Sequence, residues 1–275
     1  MKKINLYSLL TLLLLLLFGC DIINEDERVI QTDKLHFTNK VVLLEDFTGH
    51  KCVNCPVAAE EIARLEEWCE GYLIAVSIHA GSYANTAGSA WKTGFRTVAG
   101  EAYNDFFKPD GYPAAMVDRF SLNGKVTNNN VPTWSSQVID RLSGESPVEI
   151  KLDAAWQAGM SKITLHVSVD FLRTVQDELA LQLWIIEDNI MDAQLMPDNT
   201  INASYIHRHV FRDAINGIWG DSLGADSAED SSIEREYAYQ PAVAWKKNDL
   251  QIVAFVYDRK SYAILQAVKA EIEQE

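Results

Sequence analysis

Val41, Val42, Leu43, Leu44 and Phe47 make a short, nearly continuous apolar run, the pattern of a strand buried on both faces. The segment Thr48-Gly49-His50-Lys51 then turns the chain. Residues 56–70 follow with a helical period that puts Ala58, Ile62, Leu65 and Cys69 on one stripe, and Gly71 stops the helix. A second buried strand, Tyr72 to Ile78, completes a β-α-β unit whose two strands should run parallel. Across 82–110 the residues Trp91, Phe95, Val98, Ala102 and Phe106 recur at helical spacing and predict one or two helices. Next come a strand over Ala114–Val117, an Asn123-Gly124 hairpin turn and a short strand near Val126. Trp134, Val138 and Leu142 mark a closing helix with Thr133 as its cap.

Ser143-Gly144-Glu145-Ser146-Pro147 is the expected boundary, because the period changes to two beyond it. Val148, Ile150 and Leu152 alternate with charged residues, and Ile163, Leu165, Val167 and Val169 alternate with polar ones. Leu179–Ile186, Gln251–Tyr257 and Ile264–Ile272 supply further strands, so residues 147–275 predict an all-β sandwich of immunoglobulin-like type. The stretch 187–247 is irregular, with an exposed acidic loop over Asp221–Ser232.

The N-terminal segment changes this picture. Lys2 and Lys3 precede ten residues, Leu9–Phe18, that are apolar except for Thr11. Such a run is too short for the roughly twenty residues of a bilayer span and reads as a signal peptide over 1–19. Its ending, Leu17-Phe18-Gly19-Cys20, resembles the lipobox of bacterial lipoproteins, which implies cleavage and lipidation at Cys20. Residues 20–38 then form an acidic tether, about 60 Å long when extended. Acidic residues this close to a lipidated cysteine also resemble surface-export signals of Bacteroidetes lipoproteins. Removing two lysines and no acid takes the formal charge from −15 to −17, a poor match for nucleic acid or anionic lipid.

With Cys20 acylated, three cysteines remain: Cys52, Cys55 and Cys69. One close pair with one left over points to redox chemistry or a metal site rather than a structural framework. A metal is disfavoured, because no second CxxC exists and His36, His50 and His79 are not spaced as ligands. His207 and His209 would share one side of a strand, but no acidic or cysteine partner flanks them, and a structural pair is the better reading. No cofactor motif is found. A thiol at a helix N-terminus meets free N–H groups that stabilise its thiolate. Two cysteines three residues apart can close a disulfide. Cys69, fourteen residues from Cys55, would lie about 21 Å away along a helix and reads as a buried inert thiol.

Cys52-Val53-Asn54-Cys55 after one buried strand, and Tyr112-Pro113 before another, resemble the thioredoxin fold over residues 39–143. The resemblance implies a cis Pro113 facing the pair, Cys52 as attacking thiolate and more exposed thiol, and Cys55 as resolving partner. Two departures stand out: no Trp precedes Cys52, and Pro56 follows the pair rather than lying within it. If the helix begins at Cys55, Cys52 lies in the loop and its activation weakens.

The mature chain as a whole resembles the Bacteroidetes lipoprotein family named for an outer-membrane protein of about twenty-eight kilodaltons. The shared features are Glu45-Asp46-Phe47-Thr48-Gly49 leading into Cys52–Pro56, Gly111-Tyr112-Pro113 with Asp118-Arg119, Tyr205–Val210 through Asn216–Gly220, and Val253–Tyr257. Membership implies an outer-membrane lipoprotein, facing the periplasm or the surface, with a thioredoxin-like and a β-sandwich domain. Asp221-Ser222-Leu223 and Asp226-Ser227-Ala228 also resemble three-residue O-glycosylation sites of exported proteins from Bacteroides-type bacteria. The expected function is thiol–disulfide exchange through Cys52 and Cys55 with a protein thiol or disulfide partner. The membrane is contacted through the lipid, and no nucleic acid is involved. The alternative is a non-enzymatic surface lipoprotein acting as a binding or scaffold module, and copper handling by the two thiols is a minor third reading.

Overall fold

A computed structural model describes residues 37–122 and 124–274; the expected signal peptide, the expected lipidation site Cys20 and most of the expected tether lie outside the described residues. The first strand, β1 (Val42–Thr48), is buried along its whole length, as its apolar run requires. It leads through a turn into α1 (Cys55–Cys69), whose buried stripe includes Ala58, Ile62, Leu65 and Cys69. Glu70 and Gly71, at φ 47° and 95°, end that helix, and β2 (Leu73–His79) returns parallel to β1. The strand β3 (Ala114–Val117) adds antiparallel to β1 on its other side, after a cis Tyr112–Pro113 bond. The closing helix α3 (Trp134–Leu142) buries Trp134, Val138 and Leu142 against the same face as α1, and the Thr133 side chain makes no capping bond.

The segment 82–110 departs from its predicted pattern. It holds one short turn, Ser82–Ala84, and one helix, α2 (Val98–Phe107). Trp91 and Phe95 precede that helix in irregular chain, and within it Val98 and Phe106 are 83% and 47% exposed while Ala99 and Tyr103 face the core. The helical spacing was coincidental: Phe95 is buried because a cluster of histidines packs on it, and not because it lies on a helical stripe. Nor does a strand form near Val126. Leu122 bridges Lys125 around Gly124, and Asn128 bridges Ala115 instead (Asn123 lies outside the described residues).

Beyond the turn at 143–147 come β4 (Val148–Trp156), β5 (Ile163–Phe171) and β6 (Leu179–Glu187), with β12 (Leu250–Asp258) and β13 (Ile264–Glu271) near the end. The stretch 187–247, expected to be irregular, contains five strands. These are β7 (Ile190–Leu195), β8 (Ile201–His207), β9 (Val210–Ala214), β10 (Asp221–Gly224) and β11 (Ser232–Tyr239). Their sequences hide them: β8 and β11 are largely exposed and rich in polar residues, so neither shows an apolar face. The expected acidic loop is confined to the residues between β10 and β11.

One sheet takes strands from both sides of the 143–147 turn, in the order β13-β12-β6-β9-β2-β1-β3, with β10 on β6. A three-stranded sheet, β11-β5-β4, and the β7–β8 hairpin complete the β structure. β6 and β12 are sandwiched on both faces. Leu181, Leu183, Ile185, Ile252 and Ala254 pack against β4 and β5. The alternate residues Trp184, Phe255 and Tyr257 pack with Tyr103, Ile78 and Met116 from the first half. Into that second layer is set a buried ion pair. Arg119 donates twice to the Glu45 carboxylate, both at 2.8 Å, with aromatic rings around its guanidinium, Phe107 and Phe255 nearest at 5.1 Å.

Candidate functional site

The turn before the cysteine pair is set by Gly49. A Cβ there would come within 2.6 Å of the Tyr83 backbone, so only glycine lets the two segments approach. Lys51 N–H donates to the Tyr83 carbonyl and Cys52 N–H to Gly49, both at 2.9 Å. This leaves Cys52 in the loop and Cys55 as the first residue of α1. The two are joined by a disulfide with Cα atoms 5.4 Å apart. Contrary to the expectation that Cys52 is the more exposed thiol, both residues are buried in the disulfide, at 2% and 3% exposure.

The cover comes from the second half of the chain. The Gln194 side-chain amide on β7 donates to the Cys52 carbonyl at 3.0 Å, and Leu195 N–H donates to the His50 carbonyl at 2.8 Å. On the other flank Lys51 Nζ donates to Asn85 Oδ1 and the Ala87 carbonyl, both at 2.6 Å, and sits 4.5 Å from the Trp91 ring centre. The pair is therefore clamped between the 82–97 segment and the β7–β8 hairpin.

Beneath it lies a cavity of about 330 Å³ whose lining includes Cys55, Asp46, His79, Gln194 and His207. Asp46 comes from β1, where burial pushes its carboxyl up to about 7, against a smaller opposing effect of the Thr48 hydroxyl. Its Oδ1 has no hydrogen-bond partner among the described residues. His79 and His207 both pack on Phe95, each with ring centroids 4.6 Å from it, and their own rings lie 5.5 Å apart. Burial holds His79 well below the ordinary imidazole range and lowers His207 to about 4, so both rings are neutral at pH 7. His50 is lowered too, by burial first, and its Nε2 lies 2.8 Å from the Asn85 carbonyl.

His207 and His209 do not share a strand face. β8 ends at His207, and His209 follows at φ 54°, its Nε2 3.0 Å from Glu66 and its Nδ1 3.4 Å from Asp188. No group of three or more metal-ligating side chains is found among the described residues. Cys69 is a free, buried thiol at the far end of α1, pushed up to about 11 chiefly by burial.

Pro113 flanks a second, open groove. Asn54 and Val57 of the cysteine loop and helix line one side, Tyr112 and Pro113 the other, and Asn129 Nδ2 donates to the Pro113 carbonyl at 2.9 Å. Asn54 and Val57, which flank Cys55, thus share a groove with the Pro113 loop, and neither cysteine lines it. Sequence reasoning missed Asp46, Gln194 and the role of His79. An acid pair, Glu45-Asp46, inside an otherwise apolar strand was a signal for the first; the other two carried none.

The model of a protein family described as outer membrane protein Omp28 matches residues 100–275, a span that begins downstream of Cys52 and Cys55. Among solved structures, a domain of the outer membrane lipoprotein Omp28 from Porphyromonas gingivalis is similar. It has 22% identity and a TM-score of 0.32, with 48% of this chain and 93% of that one covered. The sporulation control protein Spo0M of Bacillus subtilis matches at 16% identity and a TM-score of 0.27, covering 48% and 50%. No curated protein matches the chain.

Proposed function

The chain belongs to the Omp28 outer membrane protein family, and from that premise we propose that it carries out thiol–disulfide exchange in the cell envelope through Cys52 and Cys55. The observation that carries this reading is the closed Cys52–Cys55 disulfide at the start of α1, with the buried Asp46 carboxyl lining the same cavity as Cys55. Opening the bond leaves a thiolate at a helix N-terminus, where unpaired N–H groups stabilise negative charge. A carboxyl held at about 7 can give or take the accompanying proton at neutral pH. The β1-α1-β2 unit, β3 after Pro113 and the closing α3 support reading 39–143 as thioredoxin-like. The β4-β5-β11 sheet facing β6 and β12 supports reading 147–275 as an immunoglobulin-like sandwich. The membrane is reached through lipid on Cys20.

The burial of both cysteines favours one alternative, in which the disulfide is a structural staple and the protein a binding or scaffold module. A redox titration of the purified full-length chain separates the two, with the pair's state read by alkylation and mass spectrometry. Exchange predicts a reversible two-electron transition at a midpoint above about −300 mV, the level below which structural disulfides lie. A midpoint below that, or no reversible transition, moves the assignment to the scaffold.

A further inference from the structure

The cavity and the open groove reach different parts of the cysteine loop. Cys55 lines the cavity, whereas the groove beside Pro113 is lined by Asn54 and Val57 and by neither cysteine. Cys52 is shut off by the hairpin whose Gln194 amide is bonded to its carbonyl. A protein disulfide approaching Cys52 would have to displace the hairpin, while a small molecule in the cavity already faces Cys55.

We propose that this cavity is a binding site for a small thiol, which enters past Ala59 and Ala63 on α1 and attacks Cys55 Sγ. The proposal rests on the exchange reading and names its substrate class. The volume, about 330 Å³, sits at the small end of ligand pockets, which span roughly 300–1,000 Å³. Ile62 and Ile206 give the wall apolar surface, and three lining residues carry buried polar atoms with no partner among the described residues: Asp46 Oδ1, His79 Nδ1 and His207 Nε2. Buried polar atoms left without a partner are costly unless something hydrogen-bonds to them, and a polar group on the bound thiol can do so.

The chemistry balances with two molecules of thiol. Asp46 takes the proton of the first, and its sulfur bonds to Cys55 Sγ as the Cys52–Cys55 bond breaks. That bond's electron pair leaves on Cys52 Sγ, which takes up the proton that Asp46 had accepted, so the carboxyl returns to its starting state. A second thiol attacks the small-molecule sulfur of the mixed disulfide, releasing the small symmetric disulfide and Cys55, which takes the second proton. The protein disulfide is reduced by two electrons and two thiols are oxidised to one disulfide; the reverse sequence oxidises the pair.

The test uses the oxidised full-length chain and follows loss of its disulfide by acid quench and mass spectrometry. 2-Mercaptoethanol is compared with a thiol of similar acidity on a polyethylene glycol chain too large for the cavity. The small thiol should react faster by about tenfold or more, since access to the attacked sulfur controls the rate. Its first adduct should map to Cys55. Ala59→Phe and Ala63→Phe, both on the accessible side of α1, should slow the small thiol by about the same factor without changing the large one. Equal rates for the two thiols, or a first adduct on Cys52, overturn the site, and the wild-type comparison decides this even if the Phe variants fold poorly. If the pair still cycles reversibly in dithiothreitol buffers, only the small-thiol site has failed; if it does not cycle, the exchange reading has failed with it.

Discussion

Replacing Asp46 by Asn should change how the stability of the protein depends on pH. Asp46 is fully buried in the native state, and its carboxyl is pushed from 3.8 up to about 7. Between those two values the folded chain holds a proton that the unfolded chain has released. Stability therefore falls as pH rises through this window, and the part of it owed to the protonated group is gone above about pH 7. At about 1.4 kcal/mol for each pH unit separating the two values, the total is about 4 kcal/mol. Asn cannot ionise, so the variant lacks this slope, whatever constant offset its amide introduces. The stability of Asp46→Asn minus that of the wild type should thus rise by about 4 kcal/mol from about pH 4 to about pH 7.5. Urea unfolding of both oxidised proteins at several pH values measures the difference, and the other carboxylates cancel. A difference that stays constant across the window means that Asp46 is ionised in the native state and refutes its role as the proton store of the site.

Arg119→Met should cost about 3–5 kcal/mol in urea unfolding, because it leaves the Glu45 carboxylate unpaired inside the aromatic layer, and adding Glu45→Gln should recover part of that loss. A single variant within about 1 kcal/mol of wild type would show that the pair is not buried as described. Cys20→Ala should abolish acylation and release the protein from the membrane fraction, and unchanged acylation or fractionation of that variant rules out Cys20 as the anchor.

The sequence by itself determined the parts whose neighbours are close along the chain. The buried runs of β1 and β2, the stripe Ala58-Ile62-Leu65-Cys69 of α1, the Trp134-Val138-Leu142 face of α3 and the alternation along β4 and β5 all stand where their periods placed them. So does the cysteine pair between a strand and a helix, since three residues of chain suffice to close it. Periodicity reports which face of an element is buried, and it is silent where an element is exposed. That is why β8 and β11 went unseen, and why the spacing of Trp91, Phe95 and Val98 misled. The site depended on contacts between segments far apart in sequence. Gln194 reaches Cys52 across 142 positions, and Ser77 of β2 pairs with Val210 of β9, joining the two halves in one sheet. Whether Asp46 holds its proton near neutrality, and which sulfur a reagent can reach, depends on how much water the surrounding packing excludes. Only the tertiary structure decided that, because desolvation belongs to the assembled environment and not to the residue.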